Sequence, residues 1–312
     1  MSDVKRAGAF WDHEIVDQTL VSWMDDPLIL DAVHRRIGGD ATPSSAGDWF
    51  VSRLQGHTFS RGLSIGCGVG NLEREAIRRN VCATIDAFDG SVNSLRLARR
   101  AADEEGCGDR IRYFASDFNR PVLPADTYDI VFANQSLHHV GKLEKLFRAI
   151  LHAMRSDGVL YIDEYVGPSR TEWNDELIAP HRAVFAGLPA EVRRSGFLPL
   201  PVMDEDPSEA IRSSEILPLL SVGFDFEAMR PYGGNLLAVL YPFLDWSRAD
   251  DGLKECLIEQ DAAWARKGSY YAFAVARPSR GLRRRIASLR WMVAPKAKRV
   301  LYELRQRLGR AI

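Results

Sequence analysis

Two adjacent imidazoles, His138 and His139, follow an apolar run over 128–133. An ordinary histidine pKa of about 6.5 suits proton transfer near neutrality, so either ring is a candidate general base. Successive residues of an extended chain point to opposite faces. One of the pair is then chemical and the other structural, with His139 the better candidate for the base; the reading in which both only shape a pocket stays open. A second polar cluster, Asp163-Glu164-Tyr165, ends the next apolar run. Glu164 is a candidate to orient a histidine, to bind acceptor hydroxyls or to cap the following loop, and Tyr165 is a candidate acceptor contact. Further on, 206–215 reads as placing Glu209, Arg212 and Ser213 within one helical turn. Arg212 there can grip an acceptor carboxylate or phosphate through two parallel N–H bonds, or tie a solvated helix face by local ion pairs. The seven histidines form no HxxxH or HxH array, so no metal ligand set is expected.

A glycine loop, Gly66-Cys67-Gly68-Val69-Gly70, stands between an apolar strand and a helical stretch. Glycine lets the backbone approach a ligand and adopt turns closed to other residues. The dinucleotide fingerprint GxGxxG needs glycine at position 71, which is asparagine; the pattern is GxGxG. Asp89, 19 residues past Gly70, ends the next strand, where a carboxylate can accept from both ribose hydroxyls. That feature suits a dinucleotide and an S-adenosylmethionine site alike.

The elements that must hold these groups alternate. Strands are predicted over 62–65, 82–88, 111–115, 128–133 and 158–163, with helices over 72–79, 92–102 and 143–154. Regular β-α alternation argues for a parallel sheet covered on both faces. Residues 10–55 read as helices anchored by Trp11, Trp23, Trp49 and Phe50. Seven prolines break the alternation over 168–219, which reads as an insertion over the strand ends, where such sheets build substrate sites. Strands return at 224–230 and 270–277.

Several segments together resemble one family. Residues 63–70 resemble motif I of the class I S-adenosylmethionine-dependent methyltransferases. Residues 89–99 resemble the stretch after their second strand, 115–118 the third-strand element, 128–140 the fourth-strand segment and 154–160 the turn into the fifth. Five elements in this order cover roughly 60–165. The resemblance implies an α/β fold: a Rossmann-like, doubly wound, mostly parallel seven-stranded sheet with an N-terminal helical cap (1–58), a methyltransferase domain (59–278) with a helical lid inserted at about 168–219, and a tail (279–312). It implies S-adenosyl-L-methionine as cofactor, with Gly66, Cys67, Gly68 and Gly70 against its methionine and ribose part and Asp89, beside Gly90, on the ribose hydroxyls. Asp117 would meet the adenine amino group, Asn134 would line the sulfonium end, and Phe118 would cover the adenine face or pack in the core. One departure stands out: the acid usual two residues before the first glycine is Ser64, and Glu73 is the candidate to compensate. The 163–168 run taken with 206–215 is similar to a bacterial subgroup acting on small molecules or glycans.

An amine or thiolate acceptor needs little beyond positioning, whereas a hydroxyl gains from a base, so the histidines favour an oxygen acceptor on a small molecule, saccharide or glycolipid. The Asn-Pro-Pro-Tyr element of base and amide N-methyltransferases is missing from the fourth strand, which demotes nucleic acid as substrate. An RNA-directed methyltransferase and a cofactor-binding partner protein without catalysis are the alternatives.

Charge is unevenly spread. The stretch 280–312 carries a formal +10 and the rest of the 312-residue chain −11. Apolar stripes through Leu282, Ile286, Leu289 and Val293, then Val300, Leu301, Leu304 and Leu308, are flanked by arginines and lysines. This pattern fits the surface of an anionic membrane first, packing on the acidic body second and nucleic acid third. Four cysteines without CxxC spacing, and no apolar signal-like start, place the chain in the cytoplasm, peripheral on the inner membrane face.

Overall fold

A computed structural model describes residues 22–280; Trp11 and the basic stretch from 281 onward lie outside the described residues. Two helices come first, α1 (Pro27–Gly38) and α2 (Ala46–Leu54). The alternating body follows: β1 (Phe59–Ile65), α3 (Asn71–Arg78), β2 (Cys82–Asp89), α4 (Val92–Glu104), β3 (Ile111–Ala115), β4 (Tyr128–Asn134), α5 (Leu143–Ala153) and β5 (Met154–Tyr165). The insertion carries α6 (Asp175–Gly187) and the short α7 (Ile216–Leu220). It leads to β6 (Phe224–Gly233), α8 (Leu237–Leu240), α9 (Asp251–Ala265) and β7 (Tyr271–Pro278).

The seven strands form one sheet in the order β3-β2-β1-β4-β5-β7-β6. β1 to β5 run parallel, while β7 lies antiparallel to both β5 and β6. A sheet covered on both faces needs strands that are apolar throughout, and β4 shows why. Ile130 and Phe132 enter one core, Val131 and Ala133 the other. Strand order reverses between β1 and β4, and their carboxyl ends form the crevice where open α/β sheets take ligands.

The N-terminal helices pack on the far half of the sheet. Asp26 caps α1, Pro27 opens it, and Ile29, Val33 and Ile37 form its buried stripe. From the same helix Arg36 reaches Asp261 of α9 at 2.6 Å and the carbonyls of Tyr232 and Ile258. The fully buried Asp261 also accepts from the amides of Gly234, Leu236 and Leu237. Among the described residues, no helix is long and apolar enough to cross a membrane.

Two local expectations are corrected. Residues 206–212 form turns rather than a helix, with Ala210 at φ 49° and only a 3-10 turn at Ser213–Glu215. His138 and His139 do not end a strand; they sit in a 3-10 turn, Leu137–His139.

Candidate active site

A cleft of about 480 Å³ opens at the carboxyl ends of β1, β2 and β4, lined among others by Gly66, Gly68, Asp89, Asp117, Phe118 and His139. Its size is that of a small-molecule site. A larger hollow of about 610 Å³ lies at the opposite edge of the sheet, against Trp49, Arg53, Asp129 and Arg277. The strand-end rule and the clustering of titratable groups both place the chemistry in the smaller cleft.

The glycine loop forms its floor. Gly66 has φ 69°, and a Cβ there would stand 2.4 Å from the Ser136 Cβ, so only glycine lets the loop after β1 press against the loop after β4. At Gly68, φ 51°, a Cβ would meet nothing within 4 Å and would project into open space. Asp89 Oδ2 accepts from the Gly68 amide at 2.9 Å and Oδ1 from the Ser91 amide at 2.8 Å. Carboxylate oxygens each have a second lone pair, which Asp89 can offer to the cleft it lines. Gly90, Asp117 and Phe118 line it as well. The Phe118 ring also packs on Phe88 at 5.6 Å.

Cys67 and Asn134 are placed differently from expectation. Neither is a lining residue of the cleft. Asn134 is the last residue of β4, paired in register with Asp163, and it is Gln135, in the left-handed region at φ 48°, that turns into the lining. Burial pushes the Cys67 thiol far up, so it is no nucleophile.

Ser64 and Glu73, the departure in the glycine motif and the acid after it, meet in the structure. The first turn of α3 brings Glu73 fully into the interior, where the Ser64 hydroxyl donates to its Oε1. An acid thus stands beside Ser64, carried by the helix and not by β1. Burial raises the Glu73 carboxyl to about 7, although the Ser64 hydrogen bond opposes the shift. Its Oε2 has no hydrogen-bond partner among the described residues, an orphaned buried oxygen that an ammonium group would satisfy. Open space at Gly68, an Asp89 carboxylate on the cleft and this oxygen together fit an adenosyl cofactor with an amino-acid end.

The histidine turn is built by one carboxylate. Glu164, fully buried on β5, accepts from the amides of Ser136 at 2.8 Å, Leu137 at 2.6 Å and Tyr165 at 2.8 Å, and from His138 Nδ1. Of the roles foreseen for it, it takes the orienting one. It touches no open space and is a positioning residue. Because the chain turns rather than extends, the two imidazoles lie side by side, ring centres 4.1 Å apart, and do not point to opposite faces. Glu209, from the loop over the site, completes the group: its Oε2 is 3.6 Å from His138 Nε2 and 3.7 Å from His139 Nε2. The sequence flagged Glu209, but nothing local could reveal partners seventy positions away.

The electrostatics separate the two rings. Burial opposes charge on His138, but the carboxylates of Glu164 and Glu209 outweigh it and raise its pKa well above the ordinary value. His138 is therefore an imidazolium at neutrality. Burial lowers His139, and the charge on His138 lowers it further, so His139 is neutral. Glu209, despite burial, is held down to about 2 by His138 and His139. Ser208 Oγ donates to Asp206 Oδ1 at 2.6 Å and so accepts from His139 Nδ1 at 3.2 Å. That fixes the Nδ1–H tautomer and leaves Nε2 as the basic nitrogen of the ring.

Tyr165 and Arg212 do not line the cleft. The Tyr165 hydroxyl donates to the Pro168 carbonyl at 3.0 Å, and its ring stands 6.2 Å from that of His138. Arg212 as an acceptor ligand is corrected: its five N–H donors go to Glu144, Glu215 and the Gly141 carbonyl. No donor is left for an acceptor anion.

Known proteins are similar to this chain in sequence and fold. Residues 63–160 match a family model described as a methyltransferase domain. The sterol 24-C-methyltransferase of Yarrowia lipolytica is 28% identical over 165 residues, covering 53% of this chain and 39% of that protein. The sterol 24-C-methyltransferase of Eremothecium gossypii is 28% identical over 122 residues, 39% of this chain and 32% of that protein. The chain thus spans between about a third and two-fifths of the length of these relatives. Among solved structures, geranyl diphosphate C-methyltransferase from Streptomyces coelicolor A3(2) superposes with a TM-score of 0.54 at 15% identity, covering 89% of this chain and 98% of the other. The likeness is one of fold.

Proposed function

From the methyltransferase-domain match over 63–160 and the sheet topology around the cleft, we propose that the chain is a class I S-adenosylmethionine-dependent methyltransferase that methylates a small-molecule acceptor seated against the Leu137–His139 turn. The cofactor, S-adenosylmethionine, supplies an electrophilic methyl group on a sulfonium. The observation that carries the reading is the His139 imidazole, its pKa lowered by burial and by His138, in the wall of the same cleft that Gly68 and Asp89 leave open for an adenosyl group.

The chain's own residues divide the work. Asp89 holds the ribose hydroxyls, Asp117 and Phe118 the adenine, and Glu73 the amino-acid end. Glu164 and the charged His138 fix the turn. The acceptor loses a proton as it gains the methyl group, and His139 Nε2 takes it. We assign the acceptor atom as oxygen, on a small molecule, saccharide or glycolipid, since a neutral hydroxyl needs such a base. The competing outcome is carbon, favoured by the names of the sterol and geranyl diphosphate enzymes; methylation at an alkene also ends in proton loss. A panel of hydroxylated saccharides and glycolipids, set against sterols and prenyl diphosphates, with methyl-tritiated cofactor, tests this. Label in a sterol or prenyl carbon refutes oxygen and keeps methyl transfer; absence of cofactor binding refutes both.

Two predictions follow from the cofactor side. Asp89→Ala removes a charged partner of two hydroxyls, at about 1.5–3 kcal/mol, so affinity for S-adenosylmethionine falls about 10- to 100-fold by calorimetry. Glu73 titrates near 7 in the folded protein. Below that pH it meets the cofactor's ammonium as a neutral acid, above it as a carboxylate. Affinity therefore rises between about pH 6 and about pH 7.5, and Glu73→Gln flattens the profile. Linkage gives stability of the cofactor-free protein the opposite slope. Between the ordinary 4.5 and about 7 the native state holds a proton the unfolded chain has lost, so this contribution declines as pH rises.

The 280–312 stretch belongs to the same proposal as a lipid-facing segment of a cytoplasmic protein, supported by its +10 charge. Flotation with anionic vesicles, full length against a chain ending at Arg277, tests it; equal flotation refutes the assignment.

A further inference from the structure

The geometry points to a divalent-cation site formed by His138, His139 and Glu209. One ligand atom from each lies within 4.8 Å of the other two. Both Nε2 atoms approach the same carboxylate oxygen, at 3.6 and 3.7 Å. These separations exceed a good N–H···O hydrogen bond. They lie close to the edge, about 3.3 Å, of a tetrahedron with metal bonds of about 2.0–2.1 Å. Two imidazoles and one carboxylate are the protein ligands of a zinc ion that keeps a further position for water or substrate.

What stands behind the ligands argues in the same direction. A metal-binding imidazole usually carries its other ring N–H on a carboxylate, carbonyl or water, which sets the tautomer and aims the ring. His138 Nδ1 is held by Glu164, itself fixed by three amides. His139 Nδ1 is held by Ser208, whose hydroxyl is bonded to the fully buried Asp206. Each ring thus has Nδ1 engaged by a built partner and Nε2 turned toward Glu209. Two rings converging on one carboxylate, each braced from behind, is more structure than a single ion pair requires. Binding would release the proton from His138 Nε2 to solvent; two neutral imidazoles with one carboxylate then leave a divalent ion a net charge of +1, which favours an oxygen ligand at the next position. His139 and Ser208 also line the cleft, so the site borders the acceptor space. Cation binding stands on the three side chains alone; only the ion's role rests on the methyl-transfer reading. There it would hold the acceptor oxygen and ease loss of its proton, in place of imidazole.

The test uses untagged full-length protein stripped with a chelator. Titration with Co2+ should give the intense visible absorption of a tetrahedral site at one equivalent, displaced by one equivalent of Zn2+. Glu209→Ala and His139→Ala should each weaken Zn2+ binding at least 10-fold, with near-ultraviolet circular dichroism unchanged. The inference is overturned if the unmodified protein shows no such band, or takes up no more Zn2+ than Glu209→Ala; the group is then an ion pair of His138 and Glu209. The wild-type titration decides this even where a variant fails to fold. Calorimetry with S-adenosylmethionine on the same samples keeps the two readings apart, since its failure removes methyl transfer and leaves the cation result standing.

Discussion

Replacing His139 by alanine is expected to lower turnover about 10²- to 10⁴-fold, the usual worth of a positioned acid–base group, while cofactor affinity changes less than about threefold. The separation follows from the architecture. His139 belongs to the turn after β4, held through Ser208 and Asp206 of the covering loop, whereas Gly68 and Asp89, proposed for the cofactor, belong to the loop after β1 and the end of β2. Loss of the ring leaves Glu164 and its three amide bonds in place, so the turn persists. The measurement is single-turnover transfer of tritiated methyl to the acceptor found by the panel, beside calorimetry with the cofactor. A rate within threefold of wild type would remove His139 from the chemistry, as base and as ligand.

Asp261→Ala should be the most damaging single change to stability, at about 3–5 kcal/mol, the range for breaking a buried charged pair by removing one partner. The carboxylate has no exposed surface and answers four donors: the Arg36 guanidinium and the amides of Gly234, Leu236 and Leu237. Alanine satisfies none of them. The Arg36 charge would then lie mostly buried without a counter-ion, and three amides at the start of α8 would lose their acceptor. Urea unfolding should show a lower midpoint at unchanged slope. A loss under about 1 kcal/mol would mean that water or another carboxylate replaces Asp261.

The sheet was legible because it is buried on both faces, which writes parallel strands as unbroken apolar runs such as 128–133. The glycine loop and Asp89 were legible because residues that meet in one cleft stand close together in sequence. The histidine pair was visible as chemistry and misread as geometry. Gln135 adopts a left-handed conformation and Glu164 captures the next two amides, so a strand becomes a turn through a partner on another strand. Glu209 and Arg212 failed for a related reason. Their spacing suits a helix, yet ties to His138, Glu144 and the Gly141 carbonyl override local propensity. Asn134 missed by one residue, the error expected where a strand leaves its register to make a turn.

Arg212 has one more consequence. Its bonds to Glu144 on α5 and to the Gly141 carbonyl rivet the covering segment to the body of the protein, while the bond to Glu215 stiffens the segment itself. A panel bolted down at that density is a wall and not a door. Phe118 and Lys142 line the cleft beside this fixed wall. Anyone transplanting a relative's 206–215 segment to alter selectivity has to carry position 144 with it, or the graft arrives without its fastening.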